Sequence, residues 1–135
     1  MNSAKISSKI LFVDDDELVL SGLTLTVGRK YDISTAISGI EGMEIFEKEG
    51  PFAVIVSDFN MPQMDGSEFL REVRKKDKDV VTMLLSGGAD FNEVSEAVRR
   101  GGIFRLIGKP CPTEVMVENL DLALRQYRTI RAEKD

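Results

Sequence analysis

Five short runs of β-branched and aliphatic residues, separated by amphipathic stretches, constrain this chain more than any other feature. The runs are Ile10–Val13, Tyr31–Thr35, Phe52–Val56, Val80–Leu85 and Ile103–Ile107. Each has the length of a strand, and several are apolar at consecutive positions, as in strands covered on both faces. Between them, apolar residues recur at three- or four-residue spacing: Ile40, Met43 and Phe46; then Phe69, Leu70 and Val73; then Phe91, Val94, Ala97 and Val98. Arg99 and Arg100 followed by Gly101 and Gly102 end the fourth helical stretch. Pro112 suits the first turn of the last helix, whose stripe is Met116, Leu120, Ala123, Leu124 and Tyr127. The segment from Leu18 to Val27 fits two periods. Leu23, Leu25 and Val27 alternate like a strand, while Val19, Leu23 and Val27 keep a helical spacing. We expect a helix there, because a strand would break the β-α alternation. That alternation predicts an α/β fold: a mostly parallel five-stranded sheet with right-handed crossovers and helices on both faces.

A chain of 135 residues suits one domain and leaves no room for a second. No segment approaches the unbroken apolar length that spans a bilayer, so no membrane association is expected. The opening MNSAKISSK lacks the apolar core of a secretory signal. Cys111 is alone, which excludes a disulfide framework and fits a reducing compartment; the expected location is cytoplasmic. There is no histidine, so Ser-His and Cys-His nucleophiles and histidine metal sites are excluded together. A net charge of −5 argues against direct contact with nucleic acid.

In an open α/β sheet, ligands bind outside the carboxyl ends of the strands. The first run is followed by Asp14-Asp15-Asp16, the third by Asp58, the fourth by Ser86-Gly87-Gly88 and the fifth by Gly108-Lys109-Pro110; the second delivers no charge. Asp14, Asp15 and Asp58 brought together would repel one another unless a cation is present. Carboxylates with a backbone carbonyl and retained waters suit Mg²⁺. Lys109 supplies a compact positive charge and Ser86 a hydroxyl, the groups wanted around a phosphoryl oxygen, and an Asp carboxylate can accept a phosphoryl group itself.

The stretches Phe12-Val13-Asp14-Asp15-Asp16, Val56 through Gly66 (VSDFNMPQMDG), Leu85-Ser86-Gly87 and Gly108-Lys109-Pro110 resemble the signatures of the response-regulator receiver domains of two-component signalling. Four motifs in order, each after its own strand, make the match specific, and it covers roughly residues 9 to 125. The resemblance implies a flavodoxin-like, doubly wound sheet of order 2-1-3-4-5. It divides the chain into a tail at 1–8, a receiver domain at 9–125, and a charged helical linker or C-terminal tail at 126–135. It also implies that Asp58 accepts a phosphoryl group from a sensor histidine kinase or phosphotransfer protein. Asp15 and Asp58 would hold Mg²⁺ directly, Asn60 through its backbone carbonyl and Asp14 mainly through water. Lys109 would pair with Asp58 at rest and with the phosphoryl group afterwards, and Ser86 would swing towards the phosphate. Such a domain is a switch rather than an enzyme, catalysing only its own phosphoryl uptake and hydrolysis. It leaves open an output domain in a longer chain and a homodimer through the fourth and fifth helices. One departure stands out: the family's aromatic switch position, three before the lysine, holds Leu106, with Phe104 and Arg105 before it. The run from Ile103 to Pro110 looks more like receivers joined to cyclic-dinucleotide phosphodiesterase domains or other multidomain regulators.

Each residue also has a plainer explanation. Asp16 is best explained as the N-cap of the first helix, and Asp65-Gly66 as a turn. Lys109 in isolation would be a solvated loop lysine, and Cys111 a small packing residue. Asp14-Asp15-Asp16 also resembles the first motif of haloacid-dehalogenase-type phosphatases. That alternative leaves Asp58 unexplained, provides no acidic pair after Lys109 and has no room for a cap. A receiver-like adaptor that signals by binding alone is the other alternative.

Overall fold

Residues on β1 (Lys9–Val13) and β3 (Val54–Asp58) alternate between two cores, which is why both strands read as continuous apolar runs. Ile10, Phe12, Val54 and Val56 join one cluster; Leu11, Val13 and Ile55 join the other. The computed structural model describes residues 6–88, 91–100 and 102–134. Gly101 and the side chain of Phe91, both invoked for the fourth helix, lie outside the described residues.

The remaining elements follow in strict alternation: α1 (Glu17–Val27), β2 (Asp32–Ala36), α2 (Gly39–Glu49), α3 (Gly66–Lys76), β4 (Val81–Ser86), α4 (Phe91–Arg99), β5 (Arg105–Gly108) and α5 (Thr113–Lys134). The sheet order is β2-β1-β3-β4-β5, every pair parallel, as the resemblance implied. One face packs Leu20 and Val27 of α1 with Met116, Leu120, Ala123 and Tyr127 of α5. The other packs Phe46 of α2, Phe69, Leu70 and Val73 of α3, and Val94 of α4. Truncating a side chain as deeply placed as Phe69, 0% exposed, to Ala costs about 3–5 kcal/mol in such cores.

The ambiguous segment is helical. Leu20 and Val27, seven residues apart, are buried, whereas Leu25 is 82% exposed; a strand would have put Leu25 and Val27 on one face. Asp16 caps this helix, accepting the Leu18 N–H at 2.9 Å. Other expectations are corrected. Ile40 is exposed, and α2 instead buries Gly39, Gly42 and Phe46, because a Cβ at Gly42 would stand 2.9 Å from the Phe69 ring. Pro112 stands just before α5 rather than inside its first turn, and its carbonyl accepts the Met116 N–H at 3.0 Å. The last helix, α5, continues unbroken to Lys134, with Tyr127 buried and Ile130 packed beside it.

Candidate functional site

Because all strands are parallel, their C-terminal ends share one edge, and register aligns what they deliver: Val13 pairs with Ser57, Asp58 with Leu85, and Ser86 with Gly108. Asp14 follows β1 directly. Its N–H extends the ladder to the Ala36 carbonyl at 3.1 Å, and its carboxylate accepts the Asp16 N–H at 2.9 Å, leaving it 1% exposed. Asp15 is exposed. Asp58 is the last residue of β3 and only 5% exposed.

The turn behind Asp58 is closed by local bonds. Phe59 N–H donates to the Leu85 carbonyl and Gly66 N–H to the Phe59 carbonyl, each at 2.8 Å. Gln63 takes φ 72°, and Asp65 caps α3 in a capping box with Glu68. Gly66 has a tighter role than a turn: a Cβ there would stand 2.2 Å from the Asp58 carbonyl oxygen. The absence of a side chain lets α3 start directly against the strand end. A glycine in the first turn of an otherwise regular helix was the available signal, since it weakens the helix unless another backbone comes close.

Lys109 reaches back across the edge. Its Nζ lies 2.8 Å from Asp58 Oδ1 and 3.2 Å from Asp14 Oδ2, and its N–H donates to the Ser86 carbonyl at 3.0 Å. Motif spacing did not reveal the contact with Asp14. Burial pushes the Asp58 carboxyl up, Lys109 opposes this through its hydrogen bond, and the charge of Asp14 adds to the rise. Burial works against the Lys109 charge, but the bonds to Asp58 and Asp14 outweigh it and hold the ammonium above its ordinary value. Ser86 is 8% exposed and donates its hydroxyl to the Gly87 carbonyl at 2.9 Å. Asn60 lies in the exposed turn two residues beyond Asp58, and Leu106 is 42% exposed on β5.

Asp14, Asp15 and Asp58 each offer a carboxylate oxygen, all within 4.8 Å of one another. Three hard oxygen donors at that separation, in a chain without histidine, fit a small hard divalent cation and not a zinc site. Burial pushes the Cys111 thiol up, which leaves it a weak nucleophile. Beside the cluster, a groove of about 560 Å³ runs between α1 and the start of α5, bordered by Leu18, Gly22, Pro110 and Met116. No helix among the described residues is long and apolar enough to cross a membrane.

The family model described as the response regulator receiver domain matches residues 10–121. The sensor kinase CckA of Brucella abortus is 38% identical over 86 residues, which is 62% of this chain and 9% of the kinase. A probable chemotaxis protein CheY of Rhizobium etli is 35% identical over 113 residues, covering 80% of this chain and 85% of that protein. The solved structure of an adenylate cyclase from Rhodopirellula baltica superposes with a TM-score of 0.90 at 31% identity, covering 94% of each chain. The chain spans only 24% to 26% of the transcriptional regulators it also matches.

Proposed function

The chain belongs to the response-regulator receiver domains of two-component signalling, and on that premise we propose that Asp58 is its phosphoryl acceptor. The observation that carries this proposal is a nearly buried strand-end carboxylate 2.8 Å from Lys109 and within 4.8 Å of two further carboxylates. The family is a signalling domain, and its chemistry here is confined to the chain's own phosphoryl group. An oxygen of Asp58 attacks phosphorus as the P–N bond of a donor phosphohistidine, protonated on its other ring nitrogen, breaks; the ring nitrogen keeps the electron pair, leaving an acyl phosphate on Asp58 and a neutral imidazole on the donor. Hydrolysis reverses the switch: water attacks phosphorus, and the Asp58 carboxylate and inorganic phosphate are released.

Asp15 and Asp58 would hold Mg²⁺ through their carboxylates, Asn60 through its backbone carbonyl and Asp14 mainly through water, and the ion when bound would supply positive charge against the phosphoryl oxygens. Lys109 remains protonated throughout and passes from the carboxylate to a phosphoryl oxygen, with Asp14 keeping it positioned meanwhile. Ser86 exchanges the Gly87 carbonyl for a phosphoryl oxygen and draws the loop after β4 inwards. That movement biases the surface formed by α4, β5 and α5. With Leu106 at the switch position, the change proceeds without an aromatic flip.

The partners are a sensor histidine kinase or phosphotransfer protein and, downstream, an output domain in a longer chain or a separate target. The presence of related receivers within kinases and transcriptional regulators supports both. The proposed setting is the cytoplasm, and α4 and α5 form the surface that a homodimer would use. The test is intact-mass measurement after incubation with acetyl phosphate, with and without Mg²⁺, on wild type and Asp58→Asn. One metal-dependent, base-labile phosphoryl adduct on the wild type alone is expected. An adduct of equal yield on Asp58→Asn would overturn the assignment.

A further inference from the structure

Asp79 stands in the turn between α3 and β4, at the sheet edge opposite the acidic cluster. It is 7% exposed, and its two carboxylate oxygens accept from two residues at the end of α5. Arg131 Nη1 lies 2.8 Å from Oδ2 and Lys134 Nζ 2.9 Å from Oδ1. The turn is itself held, because the Asp79 N–H donates to Asp77 Oδ1 at 2.9 Å. Further back along the helix, Tyr127 is buried, and Tyr31 donates its hydroxyl to Asp121 at 2.5 Å. Helix ends ordinarily fray, and residues 132–134 are exposed. Beyond Ile130, the ion pairs of Arg131 and Lys134 with Asp79 tie this end to the domain.

We infer that Asp79 is a latch. By bonding Arg131 and Lys134 it fixes the end of α5 against the α3–β4 turn, so that this end is a rigid arm whose direction the domain sets. A segment or partner engaging the arm meets a preformed, oriented helix rather than a flexible tail. The burial is lopsided: the Asp79 side chain is 10% exposed, whereas Arg131 and Lys134 are 41% and 57% exposed. Losing Asp79 leaves two cations that already face solvent, whereas losing the cations strips a nearly buried carboxylate of these two partners. The two directions of breaking the latch thus differ in their cost to the whole domain.

The test is hydrogen exchange of the full, unphosphorylated chain, read by mass spectrometry, so its outcome does not depend on whether Asp58 accepts a phosphoryl group. In Asp79→Asn, amides 130–134 should exchange at least about tenfold faster, while 113–124 keep the wild-type pattern. Arg131→Gln with Lys134→Gln should give the same local acceleration and a larger fall in overall stability. Lys134→Gln alone, which leaves Arg131 on Asp79, decides the matter if Asp79→Asn fails to fold: amides 132–134 should still exchange faster than in the wild type. Arg128→Gln, at an exposed position of the same helix, should leave 130–134 unchanged. Wild-type exchange at 130–134 in both latch variants would overturn the inference, as would uniform acceleration along the whole chain.

Discussion

Adding one methyl group at Gly66 should damage the site more than its size suggests. In Gly66→Ala the Cβ would stand 2.2 Å from the Asp58 carbonyl oxygen, 2.9 Å from its carbonyl carbon and 3.0 Å from Leu84 Cδ2, where contacts under 3.0 Å essentially never occur. Two of these three neighbours are backbone atoms of a central strand, so no rotamer change relieves them. The start of α3 and the end of β3 must separate by about 0.8 Å, and such overpacking costs about 1–3 kcal/mol. Better helix propensity returns at most about 1 kcal/mol. The expected net loss is about 1 kcal/mol, the middle of a range of about 0–2 kcal/mol, seen as a lower urea midpoint at unchanged slope. Because Asp58 must shift relative to Lys109, acetyl phosphate labelling should slow as well. Gly22→Ala is the control: it lies inside α1, where a Cβ meets nothing within 4 Å, so stability should rise by about 0.5–1 kcal/mol with labelling unchanged. A Gly66→Ala protein as stable as the wild type and labelled at the same rate would refute the close-approach argument.

Other perturbations separate the roles of the charges. Lys109→Ala should lower stability at low salt without divalent ions by about 2–3 kcal/mol, below the range for fully buried pairs because Lys109 is 29% exposed. Chemical denaturation in chelator measures it, and added Mg²⁺ should restore part of the loss. Asp58→Asn should raise the stability of the metal-free protein at neutral pH, because burial outweighs the Lys109 bond at this carboxylate; thermal melts in chelator would show the gain. The Lys134 hydrogen bond, opposed by burial and aided by Arg131, holds Asp79 below the ordinary carboxylate value of 3.8. Its stabilising contribution is thus present above that value and is lost as pH falls through the lower folded one. The stability gap between wild type and Asp79→Asn should therefore shrink as the solution is acidified below about pH 4, measured by urea midpoints across pH.

Strand and helix identities, and the residue that terminates each strand, were legible in the sequence because they depend on short-range period and on where apolar runs stop. The spacing of Val19, Leu23 and Val27 marked α1 as a helix, although Leu20 rather than Val19 joins Val27 in its buried stripe, and Asp14, Asp58, Ser86 and Lys109 end up at one edge because parallel strands all finish on the same side. Tertiary structure decided what depends on distance between remote residues. Lys109 meets Asp14 across 95 positions, and Asp79 meets Arg131 across 52. Neither pair leaves a trace in local periodicity, since any lysine or aspartate of a solvated loop would read alike. Glycines showed at most where a helix was weakened, not what came close. Gly42 against Phe69 and Gly66 against Asp58 act through the side chain they lack, and only the packed neighbours show what that absence admits. The end of α5 looked like a charged tail because its cations are sequence-local, whereas the buried carboxylate that receives them comes from the far side of β4.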